Sequence, residues 1–338
     1  MTLSDNVPLK DFNTFGIEAK AVIFAELHAF PEIQDFLDIM RFREDPLLIL
    51  GGGSNILFTK DFKGIVVKIS TKGIRKISET DDHVFVQVQA GEVWDDFVNY
   101  CLSMDYGGIE NLALIPGNVG SCPIQNIGAY GVEVKDTIDS VEMVNIHNLQ
   151  MSELSNSECR FAYRDSIFKH ELKGKVIITS VIFKLTKKHT LHHHYGSIQD
   201  ELKKLGINDP GIKDIARAVT NIRQCKLPDP KVIGNAGSFF KNPSLSEINF
   251  SKLKYSYPLI PSYKQGDGTY KIPAGWLIEH CGWKGFRDGD AGVHANQALV
   301  LVNYGSANGQ QIIELAKKIQ QSISEKFGIG LEMEVNIY

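Results

Sequence analysis

Apolar positions along the chain follow two alternating rhythms. After Pro31, the residues Ile33, Phe36, Leu37 and Met40 fall on one face of a 3.6-residue period. Proline suits a first helical turn, whose N–H groups have no intrahelical acceptor, so this spacing predicts an amphipathic helix. Leu47-Leu48-Ile49-Leu50 is an apolar run of buried-strand length and leads straight into Gly51-Gly52-Gly53-Ser54-Asn55. Val84, Val86 and Val88 alternate as in a strand ending near Gly91, and Val93, Phe97, Tyr100, Cys101 and Met104 then mark a second helical face.

Val141–Ile146 and Val176–Leu185 read as further strands, and Ile212–Arg223 as a helix ending before Lys226-Leu227-Pro228. Near the end Ile312, Leu315, Ala316, Ile319, Ile323 and Phe327 keep helical spacing, with Gly328 as a C-terminal stop. A last strand is expected over Leu331–Ile337. Alternation would put Leu331, Met333, Val335 and Ile337 on one face and Glu332, Glu334 and Asn336 on the other, so that two carboxylates share a face. The expected class is α+β without Rossmann regularity. No internal repeat or linker composition marks a boundary.

A chain of 338 residues fits two or three domains, and 43% hydrophobic with 22% charged residues is ordinary for a globular protein. The formal charge of −4 gives no electrostatic reason to expect nucleic-acid or anionic-membrane binding. Met1–Asn6 lacks a basic and then apolar leader pattern, and the longest apolar runs, such as Ala298–Val302, are of strand length, so a cytoplasmic protein without membrane spans is expected. Five scattered cysteines, Cys101, Cys122, Cys159, Cys225 and Cys281, read as buried free thiols. His192–His194 has no carboxylate or thiolate at metal-ligand spacing, so no metal is expected there.

The chemistry-bearing segments are glycine-rich. Gly51–Gly53 follows a buried strand, where main-chain amides approach a phosphate with no Cβ in the way. The triplet is neither a G-x-G-x-x-G, since Ile56 takes the last place, nor a P-loop. Ile115–Ser121 leads to Gln125–Gly131 with few charges, a stretch able to wrap a pyrophosphate. Two such segments in one near-neutral protein favour a dinucleotide over a pair of ordinary turns. Phe161–Ser166 places Arg164 beside Tyr163, a planar fork suited to a carboxylate, although a surface Arg–Asp pair is the plainer reading in isolation. Gly234–Pro243 sets Ser238 on small residues before an apolar strand, with no G-x-S-x-G elbow to suggest a hydrolase.

Asn13–Gly16, Leu50–Asn55, Ile115–Gly131, Tyr163–Ser166, Gly234–Pro243, Pro273–Ile278, His294–Val300 and Leu331–Val335 together resemble the UDP-N-acetylenolpyruvoylglucosamine reductases, in order and over nearly the whole chain. The region of Tyr195-Gly196 resembles the first type of that family, in which a tyrosine loop folds over the substrate. Asn118 and Ser121-Cys122 depart from the threonine and small apolar residues usual in the flavin loop.

The resemblance implies three domains with the flavin fold of the vanillyl-alcohol-oxidase (PCMH-type) superfamily. These are a first FAD-binding subdomain over 1–70, joined by the terminal strand 331–338; a second over 71–225; and a substrate-binding α+β domain over 226–330. It implies FAD contacts at Gly51, Gly52, Gly53, Ser54, Asn55, Pro116, Gly117, Gly120, Gln125, Asn126, Gly128 and Gly131, and substrate contacts at Tyr163, Tyr195, Lys226, Asn242, Tyr263 and Gln297. The implied activity is NADPH-dependent reduction, through bound FAD, of an enolpyruvyl ether on UDP-N-acetylglucosamine, a step of peptidoglycan precursor synthesis serving cell-wall formation, cell shape and division. Arg164 would clamp the carboxylate, Glu334, helped by protonation or by Lys226, would assist enolisation, and Ser238 would protonate the carbon next to it. No obligate protein partner is implied. The competing readings are a sugar or alcohol oxidase on the same flavin fold, which would form peroxide, and a flavin-free nucleotide-sugar binding protein, which would be colourless.

Overall fold

The structure, a computed structural model, describes residues 1–338 apart from the surroundings of Gly196. The chain divides into two compact units: Met1–Val7, Ala21–Gly52 and Lys63–Cys225 form the first, and Pro8–Lys20, Gly53–Phe62 and Lys226–Tyr338 the second. The boundary runs through the glycine triplet, and residues 1–70 contribute to both units.

The first unit is built on a five-stranded antiparallel sheet in the order Met151–Ser155, Ile138–Asn145, Val176–Thr186, His83–Gln89, Ile74–Glu79. In His83–Gln89 the three valines are buried and the residues between them half-buried, the alternation expected of a strand with one face on the core. Val176–Thr186 is paired on both edges and is buried without interruption from Ile177 to Phe183, as a strand covered on both faces must be. The ring of Phe183 lies 4.7 Å from that of Phe97 on the helix Trp94–Ser103, and Trp94 meets Phe97 edge-on at 5.9 Å. The Trp94 indole N–H is satisfied by the Leu112 carbonyl at 2.9 Å, which removes the cost of burying a donor.

Leu47–Leu50 pairs in parallel with Phe62–Ile69, Leu47 standing opposite Ile65. The helix Phe30–Met40 has Pro31 in its first turn and buries Ile33, Phe36, Leu37 and Met40, each contributing about 1.5–3 kcal/mol relative to exposure. The helix Ile212–Lys226 runs three residues beyond the expected Arg223, so Lys226 is its last residue. The proline that was expected to end it earlier stands at 228, and its steric restriction falls on residue 227.

The second unit carries a four-stranded sheet in the order Gly234–Ser238, Val300–Asn303, Ala291–Val293, Arg287–Asp288. The helix Gly309–Phe327 buries the six apolar positions expected of it and starts with a reciprocal cap, Asn308 and Gln311 each accepting the other's main-chain N–H at 2.9 Å. Gly328 ends it at φ 66°.

The last strand is shorter than expected. Only Asn336–Ile337 is regular, parallel to Ile56–Leu57, and Ile337 is exposed. Before it the chain is held by single bonds: the Lys241 amide donates to the Glu332 carbonyl at 2.9 Å and the Glu334 amide to the Phe239 carbonyl at 2.8 Å, around a Phe240–Met333 bridge. Alternation described the burial of Leu331 and Val335 and not the irregular pairing that sets Glu334. Among the described residues no helix is long and apolar enough to cross a membrane.

Candidate active site

In the first unit the two glycine turns come together. A Cβ on Gly52 would stand 2.9 Å from Asn118 Oδ1 and 3.0 Å from Gly117 Cα, and one on Gly51 would meet Asn118 at 3.6 Å. Segments 65 positions apart thus pack closely, with the Asn118 side chain and the Gly117 main chain standing where a side chain on Gly51 or Gly52 would go, and main-chain amides on glycine are left the close approach that a pyrophosphate needs. The atypical Asn118 is part of this arrangement: its Nδ2 donates to the Gly91 carbonyl at 3.2 Å, and its own carbonyl accepts from Ser121 Oγ at 2.6 Å. Cys122 is buried and its thiol is pushed up by that burial. These glycine contacts fit the FAD implied by the sequence.

The loop continues to Gln125–Gly131 and meets the turn that carries Arg164. Ala162 and Asp165 exchange main-chain hydrogen bonds at 3.0 and 3.2 Å, so Tyr163 and Arg164 form the tip of a tight turn, with Arg164 at φ 53°. The guanidinium donates to the carbonyls of Gly128 at 2.6 Å and Asn126 at 3.3 Å, and lies 5.4 Å from the Tyr163 ring. Below it, His170 bonds Asp165 at 2.8 Å. Burial works to raise the Asp165 carboxyl, but the bonds from His170 and the Ser166 amide outweigh it and hold the group below its ordinary value.

Tyr195 is about half exposed, with its ring edge-on to Tyr130 at 6.0 Å and its Cδ2 3.7 Å from where a Gly131 Cβ would stand. Its partner in the expected tyrosine loop, Gly196, lies outside the residues whose surroundings are described. His192 and His194 are exposed and His193 is half-buried.

Two features of this region went unread in the sequence, and a third was read only as a flavin contact. Asn111 is buried, donates to the carbonyls of Tyr130 and His192 at 3.2 and 2.8 Å, and keeps an Oδ1 without a partner among the described residues. Arg223 has a buried Nε in the same condition, and burial lowers its affinity for a proton. Arg223 also interacts electrostatically with Tyr130, whose hydroxyl burial pushes up. A signal for Arg223 was present: it lies four residues after Val219 and eight after Ile215, on the buried side of the helix Ile212–Lys226. The third is Asn126. It is fully buried, and both its amide hydrogens and its Oδ1 are matched by protein groups, so its side chain has no donor left for FAD.

In the second unit, Asn13–Gly16 organises the site residues. Asn13 is buried and bonds the carbonyls of Leu9 and Ile17, while the Thr14 hydroxyl donates to the Asn235 carbonyl at 2.6 Å and the Thr14 amide to Gly53 at 3.1 Å. Gly53, at φ 64°, has no room for a side chain, since a Cβ would fall 2.0 Å from the Phe12 carbonyl oxygen. Ser238 ends a strand instead of preceding one, and faces Val300 in the register. The Glu334 amide bonds the carbonyl of Phe239, next to Ser238, and the Glu334 carbonyl accepts from Asn55 Nδ2 at 3.3 Å. Ser238, Glu334 and Asn55 are therefore brought together, with Ser238 and Glu334 both half-buried.

Asn242 Oδ1 accepts from the Ala274 amide at 2.8 Å and so caps the helix Ala274–His280, against which Gln297 also lies, its Oε1 3.5 Å from the place of a Gly275 Cβ. Tyr263 and Lys226 are exposed. Of the five thiols, Cys225, next to the last residue of its helix, is exposed and Cys281 is half-buried, contrary to expectation.

A family model described as an FAD binding domain matches residues 21–148, which include both glycine turns. The protein is accordingly a flavin-binding oxidoreductase, in agreement with the turn geometry. A second model, the C-terminal domain of UDP-N-acetylenolpyruvoylglucosamine reductase, matches residues 229–338. The reductase of that name from Flavobacterium johnsoniae is 51% identical over 338 residues, covering all of both chains. That from Pseudomonas aeruginosa is 45% identical over 338 residues, covering 100% of this chain and 99% of its own. The chain belongs to the UDP-N-acetylenolpyruvoylglucosamine reductase family. The crystal structure of the Thermus caldophilus reductase superposes with a TM-score of 0.69 at 24% identity, covering 100% of this chain and 99% of that one, and shows the shared fold.

Proposed function

We propose that the chain reduces the enolpyruvyl ether of UDP-N-acetylglucosamine to the lactyl ether, with NADPH as electron donor, and that Arg164, Ser238 and Glu334 act in that reaction. The observation that carries this reading is 51% identity to a reductase of that name over the full length of both chains. When bound, FAD supplies the two-electron relay between NADPH and the vinyl group. Gly51, Gly52, Gly53, Ser54, Asn55, Pro116, Gly117, Gly120, Gln125, Gly128 and Gly131 would hold it, with Asn126 contributing through its main chain.

As the vinyl methylene carbon is reduced, negative charge builds on the neighbouring carbon and its carboxylate. Arg164 meets that charge with a fixed guanidinium fork. Glu334 assists enolisation, and Ser238 Oγ gives a proton to the carbon bearing the carboxylate, drawing on a proton made available by a nearby cation or water. Tyr163, Tyr195, Lys226, Asn242, Tyr263 and Gln297 contact the UDP-sugar. The division into FAD-binding subdomains over 1–70 with 331–338 and over 71–225, a substrate domain over 226–330, the tyrosine-loop type and a cytoplasmic location belong to the same reading.

The test is turnover by FAD-loaded protein with NADPH and the enolpyruvyl UDP-sugar, with the product mass recorded. Sugar-dependent NADPH oxidation, giving a product heavier by two hydrogens, is expected. Peroxide formation independent of the enolpyruvyl sugar would replace the proposal with an oxidase.

A further inference from the structure

We infer that Asn126 is a positioning residue for Arg164, joining the glycine-rich loop to the arginine turn so that the guanidinium is held at a set angle. The inference rests on the role proposed above for Arg164. Asn126 is fully buried and adopts φ 44°, a left-handed conformation that asparagine tolerates better than most residues. Its Nδ2 donates to the Ala162 carbonyl at 2.9 Å and to Glu133 Oε2 at 3.0 Å, and its Oδ1 accepts from the Lys135 amide at 3.1 Å. Its own carbonyl accepts from Arg164 Nη1 at 3.3 Å. One residue thus grips the start of the arginine turn with its side chain and the tip with its main chain.

The neighbouring bonds close the same frame. Ser166 Oγ donates to the Ile124 carbonyl at 2.6 Å, Arg164 Nη2 to the Gly128 carbonyl at 2.6 Å, and Lys169 Nζ to the Arg164 carbonyl at 3.1 Å. Arg164 has a strained backbone at φ 53°, which persists only where its surroundings over-determine it. Without the Asn126 amide the Ala162 carbonyl keeps only its bond from the Asp165 amide, and the start of the turn loses its tie to the loop. A guanidinium displaced by about an ångström costs on the order of 100-fold in rate where orientation matters.

Asn126→Asp keeps the side-chain acceptor for Lys135 and the tolerance of positive φ, and removes both amide donors. In the holoenzyme the flavin band is expected to remain, NADPH to bleach it within about twofold of the wild-type rate, and re-oxidation by the enolpyruvyl UDP-sugar to slow about 10- to 100-fold. The slowing should lie in the limiting rate more than in the sugar concentration at half-saturation. Combination with Arg164→Lys should give less than the product of the two single effects, because both act through one guanidinium. Asn126→Gly accepts the same backbone without setting a carboxylate beside Glu133, and repeats the measurement if the aspartate variant fails to fold. Unchanged re-oxidation overturns the inference, as do fully multiplicative effects in the double variant. Flavin loss that added FAD does not restore also overturns it, since the Asn126 side chain would then serve the cofactor site and not Arg164. Wild-type re-oxidation in Arg164→Lys alone would instead remove the carboxylate role of Arg164, and the inference with it, a result distinct from the other three.

Discussion

Arg164 stands on a turn tied down by side chains: Asn126 and Ser166 bond across to the neighbouring segment, and the guanidinium itself donates to two loop carbonyls. Ser238 and Glu334, in the other unit, are placed by main chain, through strand pairing with Val300 and an amide-to-carbonyl bond from Glu334 to Phe239. The difference matters for how each position fails. A side-chain frame is broken by replacing a neighbour that never touches substrate, whereas a main-chain ladder survives most side-chain changes and isolates the chemistry of the residue it carries. Variants near Arg164 should mix positioning with chemistry, and variants of Ser238 should report chemistry alone.

The largest expected effect is at Ser238. Ser238→Ala should slow re-oxidation of the reduced enzyme by roughly 1,000-fold, the range of a positioned proton donor, while NADPH-dependent bleaching stays near the wild-type rate. Stopped-flow absorbance of each half-reaction checks this, and equal losses in both would dissolve the contrast. Next comes Arg164→Lys, which keeps the charge and loses the fork; turnover should fall about 10- to 100-fold, measured as kcat with the enolpyruvyl sugar.

Smaller still is Thr14→Val. It strips the Asn235 carbonyl of its 2.6 Å hydroxyl donor in the main-chain-held unit, so denaturant midpoints should fall by the equivalent of about 1–2 kcal/mol with kcat little changed. The smallest effect is at His294, whose imidazole burial holds below the ordinary value of 6.5. Its folded pKa is depressed, so the unfolded chain takes up the proton first. The His294 share of stability is present above pH 6.5 and is lost as pH falls through that value toward the folded pKa. His294→Gln should flatten that part of the stability-versus-pH curve; an unaltered slope would show that His294 does not contribute.

The same contrast explains what could be read from the sequence. Ile33, Phe36, Leu37 and Met40, the valines of His83–Gln89 and the apolar face of Gly309–Phe327 were legible because burial imposes a period. The glycine turns were legible as phosphate chemistry, and their contact through Gly52 and Asn118 is tertiary information that no local pattern holds. Alternation over-extended the final strand, since the pairing around Met333 follows single bonds to 239–241. Asn126 was read only as a flavin contact, because the bonds of its buried side chain to 133, 135 and 162 are tertiary; buried Asn111 and the buried Nε of Arg223 were missed because a single polar residue among apolar ones sets no period.

The most direct test of the account is the visible spectrum of the purified, FAD-loaded protein under anaerobic conditions, first with NADPH and then with the enolpyruvyl UDP-sugar. The account predicts a flavin band that bleaches with NADPH and returns when the sugar is added. Bleaching that the sugar does not reverse, or protein that takes up no flavin, would contradict it.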